Sequence, residues 1–167
     1  MSLTDTISKI RSRTWHELGF IAESFVLLGV MRAAILLLPF QKITGILGLT
    51  QGNTPSDAEP SMSVSPADIG WAVQTAASRT PWESACLVQA LTGMIMLVRR
   101  GGNATLYLGV AKDENDAEAM TAHAWLRCGN VILTGAGGVE RFSVISSFIR
   151  PVTSEANRQR AIDRTDL

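Results

Sequence analysis

Arg99-Arg100-Gly101-Gly102 divides this chain into two hydrophobic periods. Two cations at the negative end of a helix, then a glycine that can take a left-handed cap, make a firm helix stop. Before it, Leu87, Leu91, Met94 and Val98 recur at helical spacing. After it, Thr105-Leu106-Tyr107-Leu108-Gly109-Val110 reads as a strand. A polar, acidic loop follows from Lys112 to Glu118. His123 to Cys128 and Val131 to Thr134 then read as two strands joined by a tight Gly129-Asn130 turn. Arg141 to Ile149 is a further strand or short helix. Helices first and an antiparallel sheet second is an α+β layout: a helical N-terminal part, then a Cys-bearing helix packed on a small antiparallel sheet.

Upstream, Thr14-Trp15-His16-Glu17 has the form of a capping box. An apolar run from Phe20 to Leu38 follows and Pro39 closes it. The run approaches the length of a membrane span, but Glu23 and Arg32 lie inside it. Each charge at a bilayer centre costs about 2.5–3.5 kcal/mol on insertion scales. A buried or partner-docked helix is therefore expected ahead of a membrane-associated one. A short second helix ends near Gly48. These helices make an N-terminal region over residues 1–50, and Gln51 to Ser65 is a linker loop by composition. Ser65 as N-cap and Pro66 at N1 restart a helix that stops near Arg79. Residues 66–150 form the core and residues 151–167 a charged tail.

The chain has 167 residues, enough for one sizeable core. Its formal net charge of zero makes no electrostatic case for nucleic acid. The two cysteines, Cys86 and Cys128, form no CxxC, and no signal peptide is visible. A reducing, cytoplasmic setting with free thiols is expected. Cys86, Cys128, His16 and His123 have the wrong spacing for structural zinc, so neither metal nor cofactor is expected.

Alternation along a strand puts His123, Trp125 and Arg127 on one face and Ala124, Leu126 and Cys128 on the other. Cys128 then points away from His123 and reads as a small buried hydrophobe. A thiol serving His123 must be Cys86. It lies early in a helix, where unpaired N–H groups and the helix dipole attract negative charge; Thr80 or Ser84 would cap that helix, the latter placing Cys86 at N2. Taken singly, each residue also reads as core packing. Together, a Cys-bearing helix followed by a sheet with an inward His is the order of papain-like and transglutaminase-like sites.

The segment from Thr80 to Phe148 resembles the leader peptidase of lasso-peptide biosynthesis, a cysteine-protease branch of the transglutaminase-like superfamily. The matching residues are Pro81-Trp82, Cys86-Leu87, Arg100-Gly101, Leu108-Gly109-Val110, His123-Ala124-Trp125 and an aromatic near Phe142. Glu23, Leu28-Gly29, Arg32 and Leu38-Pro39-Phe40 look like the stand-alone form of this peptidase, which lacks a fused leader-binding domain. The resemblance implies Cys86 as nucleophile and His123 as base, then acid. It implies as partners a precursor (leader) peptide, a separate leader-binding protein and an ATP-dependent lactam synthetase that takes the freed amine. The Cys86 N–H and Gln89 are candidate oxyanion donors; Trp82 and Trp125 are candidate pocket walls.

One departure stands out. The family commonly places an acid about a dozen positions after the histidine, where this chain has Thr134-Gly135-Ala136-Gly137-Gly138. If Cys128 faces Val131, an unbroken hairpin puts His123 opposite Ala136, with Thr134 and Gly138 beside it. Thr134, Glu140, a backbone carbonyl or water are then the candidates for orienting the ring. Two other readings stay open: a non-catalytic scaffold of the same fold, and an acyltransferase with an amine acceptor.

Overall fold

The computed structural model describes residues 15–55, 62, 64–113 and 119–151. Helix α1 runs Trp15–Leu37 and α2 Phe40–Leu47; β1 is Thr50–Gln51; α3 is Pro66–Ala77 and α4 Cys86–Val98. Strands β2 (Thr105–Lys112), β3 (Met120–Cys128), β4 (Val131–Thr134) and β5 (Ser143–Ile149) follow, with a 3-10 turn at Val139–Arg141. The sheet is antiparallel, in the order β1-β5-β2-β3-β4. The α+β reading holds.

The stop signals act as expected. Pro39 follows α1, and Gly48 caps α2 with φ +64°. At the end of α4, Gly101 takes φ +76° while its N–H and that of Gly102 donate to Val98 and Leu97. The Thr14 box falls outside the described residues. Neither start expected for α4 is used: Ala85 is its N-cap and Cys86 its first residue. Thr80 closes the preceding turn instead. Its hydroxyl meets the Ser84 hydroxyl at 2.8 Å and the carbonyls of Ala77 and Trp82. Thr50, at the end of the N-terminal region, and Gln51, the first linker residue, pair with Ile149 and Phe148 as an edge strand too short to show a period.

A single core joins the layers. Leu28 and Met31 of α1, Ile69 and Val73 of α3, and Leu91, Met94 and Leu97 of α4 meet Leu106, Leu126 and Leu133 of the sheet. Gly93 lets α4 come close to β3, since a Cβ there would stand 2.8 Å from Leu126 Cδ2. Only six residues, 99–104, link α4 to β2. The C-terminal end of α4 therefore lies where β2 begins and β3 ends, and its N-terminal end points toward the start of β3.

Helix α1 is inverted relative to a surface helix, which normally sends its charges outward. Trp15, Leu18, Phe25, Val26, Val30, Leu36 and Leu37 are exposed. Glu23 turns inward and pairs with Arg99 and Arg100, and Arg32 pairs with Glu83. By length and composition the segment Glu17–Leu37 is long and apolar enough to cross a membrane, yet its other face carries Leu28 and Met31 of the core.

Removing the side chain that seats α4 on the sheet tests this packing. Leu126→Ala should cost about 2–5 kcal/mol in urea unfolding, as for other fully buried leucines. A loss below about 1 kcal/mol would mean that this contact is not part of the core.

Candidate active site

Cys86 opens α4 and is half-buried. At N1 its backbone N–H has no partner within the helix, since the first helical bond runs from Gln89 N–H to the Ala85 carbonyl. The Gln89 side chain donates to the Ser84 carbonyl at 2.7 Å. That amide therefore braces the loop before Cys86. The same loop is held from α1. The Trp82 ring lies 5.4 Å from that of Phe25 and rests on Gly29, where a Cβ would stand 3.3 Å from Cζ2. Trp82 is thus a strut under the cysteine loop, with its indole N–H buried and unpartnered among the described residues.

His123 sits on β3 opposite Gly109 of β2. Its face carries Trp125 and Tyr107, as alternation requires. Ala124, Leu126 and Cys128 enter the core on the helix side. The imidazole accordingly lies on the sheet face away from α4 and leans over the β4 edge, where the expectation was an inward ring. Trp125 and Phe142 flank it, with ring centroids 6.0 and 4.9 Å away. Gly109 makes room for this sandwich, because a Cβ there would stand 2.8–2.9 Å from both Trp125 and Phe142.

The group orienting the ring is a backbone carbonyl. His123 Nε2 lies 2.8 Å from the Gly135 oxygen. A carbonyl only accepts, so Nε2 carries the proton and the neutral ring keeps its lone pair on Nδ1. A β-bulge makes this contact. Leu126 pairs with Thr134 but Arg127 with Ile132, so Leu133 is an extra residue. Its carbonyl is taken by the Gln74 side chain of α3 at 2.7 Å. The bulge shifts the register expected from an unbroken hairpin, and β4 ends at Thr134. Thr134 is then buried opposite Leu126 with no partner for its hydroxyl among the described residues, and Glu140 is exposed on the 3-10 turn. Neither orients the imidazole. Gly135 must be glycine twice over: its φ is +72°, and a Cβ would stand 2.4 Å from the Ala124 oxygen.

Among the described residues no hydrogen bond joins Cys86 to His123. Their levels along the fold do correspond. Cys86 lies about 10 Å along α4 from Gly93, seven residues at 1.5 Å each. His123 lies about 10 Å along β3 from Leu126, three residues at 3.3 Å each. Gly93 and Leu126 are in contact, and both paths run toward the start of β3. Cys86 packs against the core on the helix side of the sheet, and the imidazole lies on the opposite face, beside the Gly135 carbonyl. Catalytic contacts are often long without substrate and tighten in the complex. Cys128 is buried in the core, and burial pushes its thiol above the ordinary range against a smaller opposing effect of Arg127. Among the described residues no group of three His, Cys, Asp or Glu side chains gathers as a metal site.

A family model described as Transglutaminase-like superfamily matches residues 27–147. No curated protein and no solved structure matches the chain. The matched span begins in α1 and includes the Trp82 strut as well as Cys86 and His123.

Two measurements check this geometry. Nitrogen-15 NMR should find neutral His123 protonated at Nε2, and Gly135→Ala should shift the ring toward a mixture of tautomers; a ring protonated at Nδ1 in the unaltered protein would contradict the assignment. At neutral pH iodoacetamide should label Cys86 well before Cys128, whose labelling should rise only in more alkaline solution because its raised pKa keeps the thiol protonated. Equal rates at the two would contradict the contrast.

Proposed function

Because the chain belongs to the transglutaminase-like superfamily, whose members include cysteine peptidases and acyltransferases, we propose that it is a cysteine peptidase that removes the leader from a lasso-peptide precursor. The observation that carries this reading is the tautomer set by Gly135: an imidazole tethered through Nε2–H has Nδ1 free to act as a base. The Cys86 thiol gives its proton to Nδ1 as sulfur attacks the scissile carbonyl. The tetrahedral oxygen draws on the free N–H at the start of α4. The C–N bond then breaks, the leaving amine takes the proton from the imidazolium, and the leader remains as a thioester on Cys86. Water, deprotonated by Nδ1, hydrolyses it to the leader acid and restores the thiol. The released core peptide carries a new N-terminal amine, the group a separate ATP-dependent synthetase needs for lactam closure.

The motif residues supporting the lasso assignment lie at structurally used places: Trp82 under the cysteine loop, Gly109 beneath the ring sandwich, Trp125 and Phe142 on either side of His123. A separate leader-binding protein would present the precursor, and the enzyme alone should be slow. A gain below about twofold on adding that protein would remove this part of the proposal.

Cys86→Ala and His123→Ala should each abolish cleavage of the precursor while circular dichroism stays that of the unaltered protein. Mass spectrometry of the product should show a leader ending in a free carboxylate. A new amide in its place would make the chain an amine-accepting acyltransferase, and full cleavage by Cys86→Ala would end the thiol mechanism. A folded, unaltered protein that binds precursor without cutting it would be the scaffold.

A further inference from the structure

Among the described residues, the edge of β3 beside His123 is open. Strand β4 pairs with β3 only from Leu126 to Cys128, and Gly135 closes against the Ala124 carbonyl. Upstream, among the described residues, no strand pairs with that side of Met120, Thr121 or Ala122. Which backbone groups face the opening follows from the ladder. The Asp113 N–H donates to the Ala119 carbonyl at 3.0 Å, so these two form a hydrogen-bonded pair. The β2–β3 register runs without a break from Lys112↔Met120 to Thr105↔Arg127. Hydrogen-bonded and non-bonded pairs alternate along an antiparallel ladder. Thr121 and His123 therefore spend their N–H and C=O on β2, while Met120 and Ala122 turn theirs to the open side. Met120 is 62% exposed and Ala122 is exposed. An edge with unpaired N–H and C=O is a template for an added strand.

We propose that the substrate peptide enters as an added strand on β3, pairing its backbone with Ala122 and Met120. This inference rests on the peptidase reading and says how its substrate is held. An extended segment there continues the sheet where β4 stops. It runs along the strand that carries His123, on the sheet against whose other face the Cys86 helix packs. Recognition through main-chain pairing accepts any extended sequence. It accounts for a site with little charge of its own, and leaves selection to a partner that holds the leader. A folded or helical segment cannot make this pairing, so the cleaved junction must be extended.

The test separates binding from cleavage. Cys86→Ala protein is mixed with the full-length precursor, leader plus core, and amide hydrogen exchange is followed by NMR. The Met120 and Ala122 amides should exchange rapidly in the free protein and slow at least tenfold in the complex. The second arm uses Ala122→Pro, which removes one donor that β2 does not use and which an edge strand tolerates. It should lower kcat/KM at least tenfold, mainly through KM, while iodoacetamide labelling of Cys86 stays unchanged. Precursor binding without protection at Ala122, no precursor binding at all, or unimpaired turnover by a folded Ala122→Pro would each overturn the proposal. Protection at Ala122 in a protein that never cleaves would leave strand addition standing and remove the peptidase reading alone.

Discussion

The hydrogen bond from His123 Nε2 to the Gly135 carbonyl is the constraint on which the candidate site depends. A carboxylate would stabilise an imidazolium more strongly, since charge-assisted bonds exceed neutral ones. The carbonyl still settles the tautomer, and with it which nitrogen can accept a proton. The demand it makes is spatial. The chain must press against β3 at Ala124, which only a glycine with positive φ allows. The residue before it must leave the ladder in time, which the extra residue Leu133 achieves. The carbonyl freed by that bulge must find a donor, and Gln74 of α3 supplies it. A helix about fifty residues upstream thus bears on the orientation of the imidazole through one strand irregularity.

The thiol depends on a second set of supports. Cys86 opens α4, so its position follows from the loop before it. Gln89 braces that loop from within α4, and Trp82 braces it from beneath. Trp82 rests on α1, whose Glu23 pairs with Arg99 and Arg100 and whose Arg32 pairs with Glu83. Glu23 thus turns inward to the arginines after α4, while Arg32 meets the exposed Glu83 just before it. The N-terminal helix is therefore part of the site's scaffold, in keeping with a family match that begins at residue 27.

Much of the architecture was legible in the chain because it is written in local chemistry. Glycine and proline stops at 39, 48 and 101 end helices by backbone conformation alone. The faces of β3 follow from a period of two, which put Cys128 in the core and Trp125 beside His123. What could not be read depends on contacts remote in sequence. Thr80 looks like a cap until its hydroxyl is seen closing the turn with Ser84. The hairpin register looks settled at Gly129-Asn130 until the Leu133 bulge moves it by one residue. A backbone carbonyl was one of several candidates for orienting the ring, and the choice fell to it through the Leu133 bulge; Gly135, Gly137 and Gly138 were the signal that no side chain would serve. Helix α1 shows as apolar in the sequence, but which way Glu23 and Arg32 turn is settled by Arg99, Arg100 and Glu83.

The most direct test of a thiol-based peptidase is to trap the covalent intermediate. Rapid acid quenching of enzyme with precursor, followed by digestion and mass spectrometry, should reveal the leader attached as a thioester to the peptide containing Cys86. Turnover with no such adduct, or an adduct on Cys128, would contradict the account.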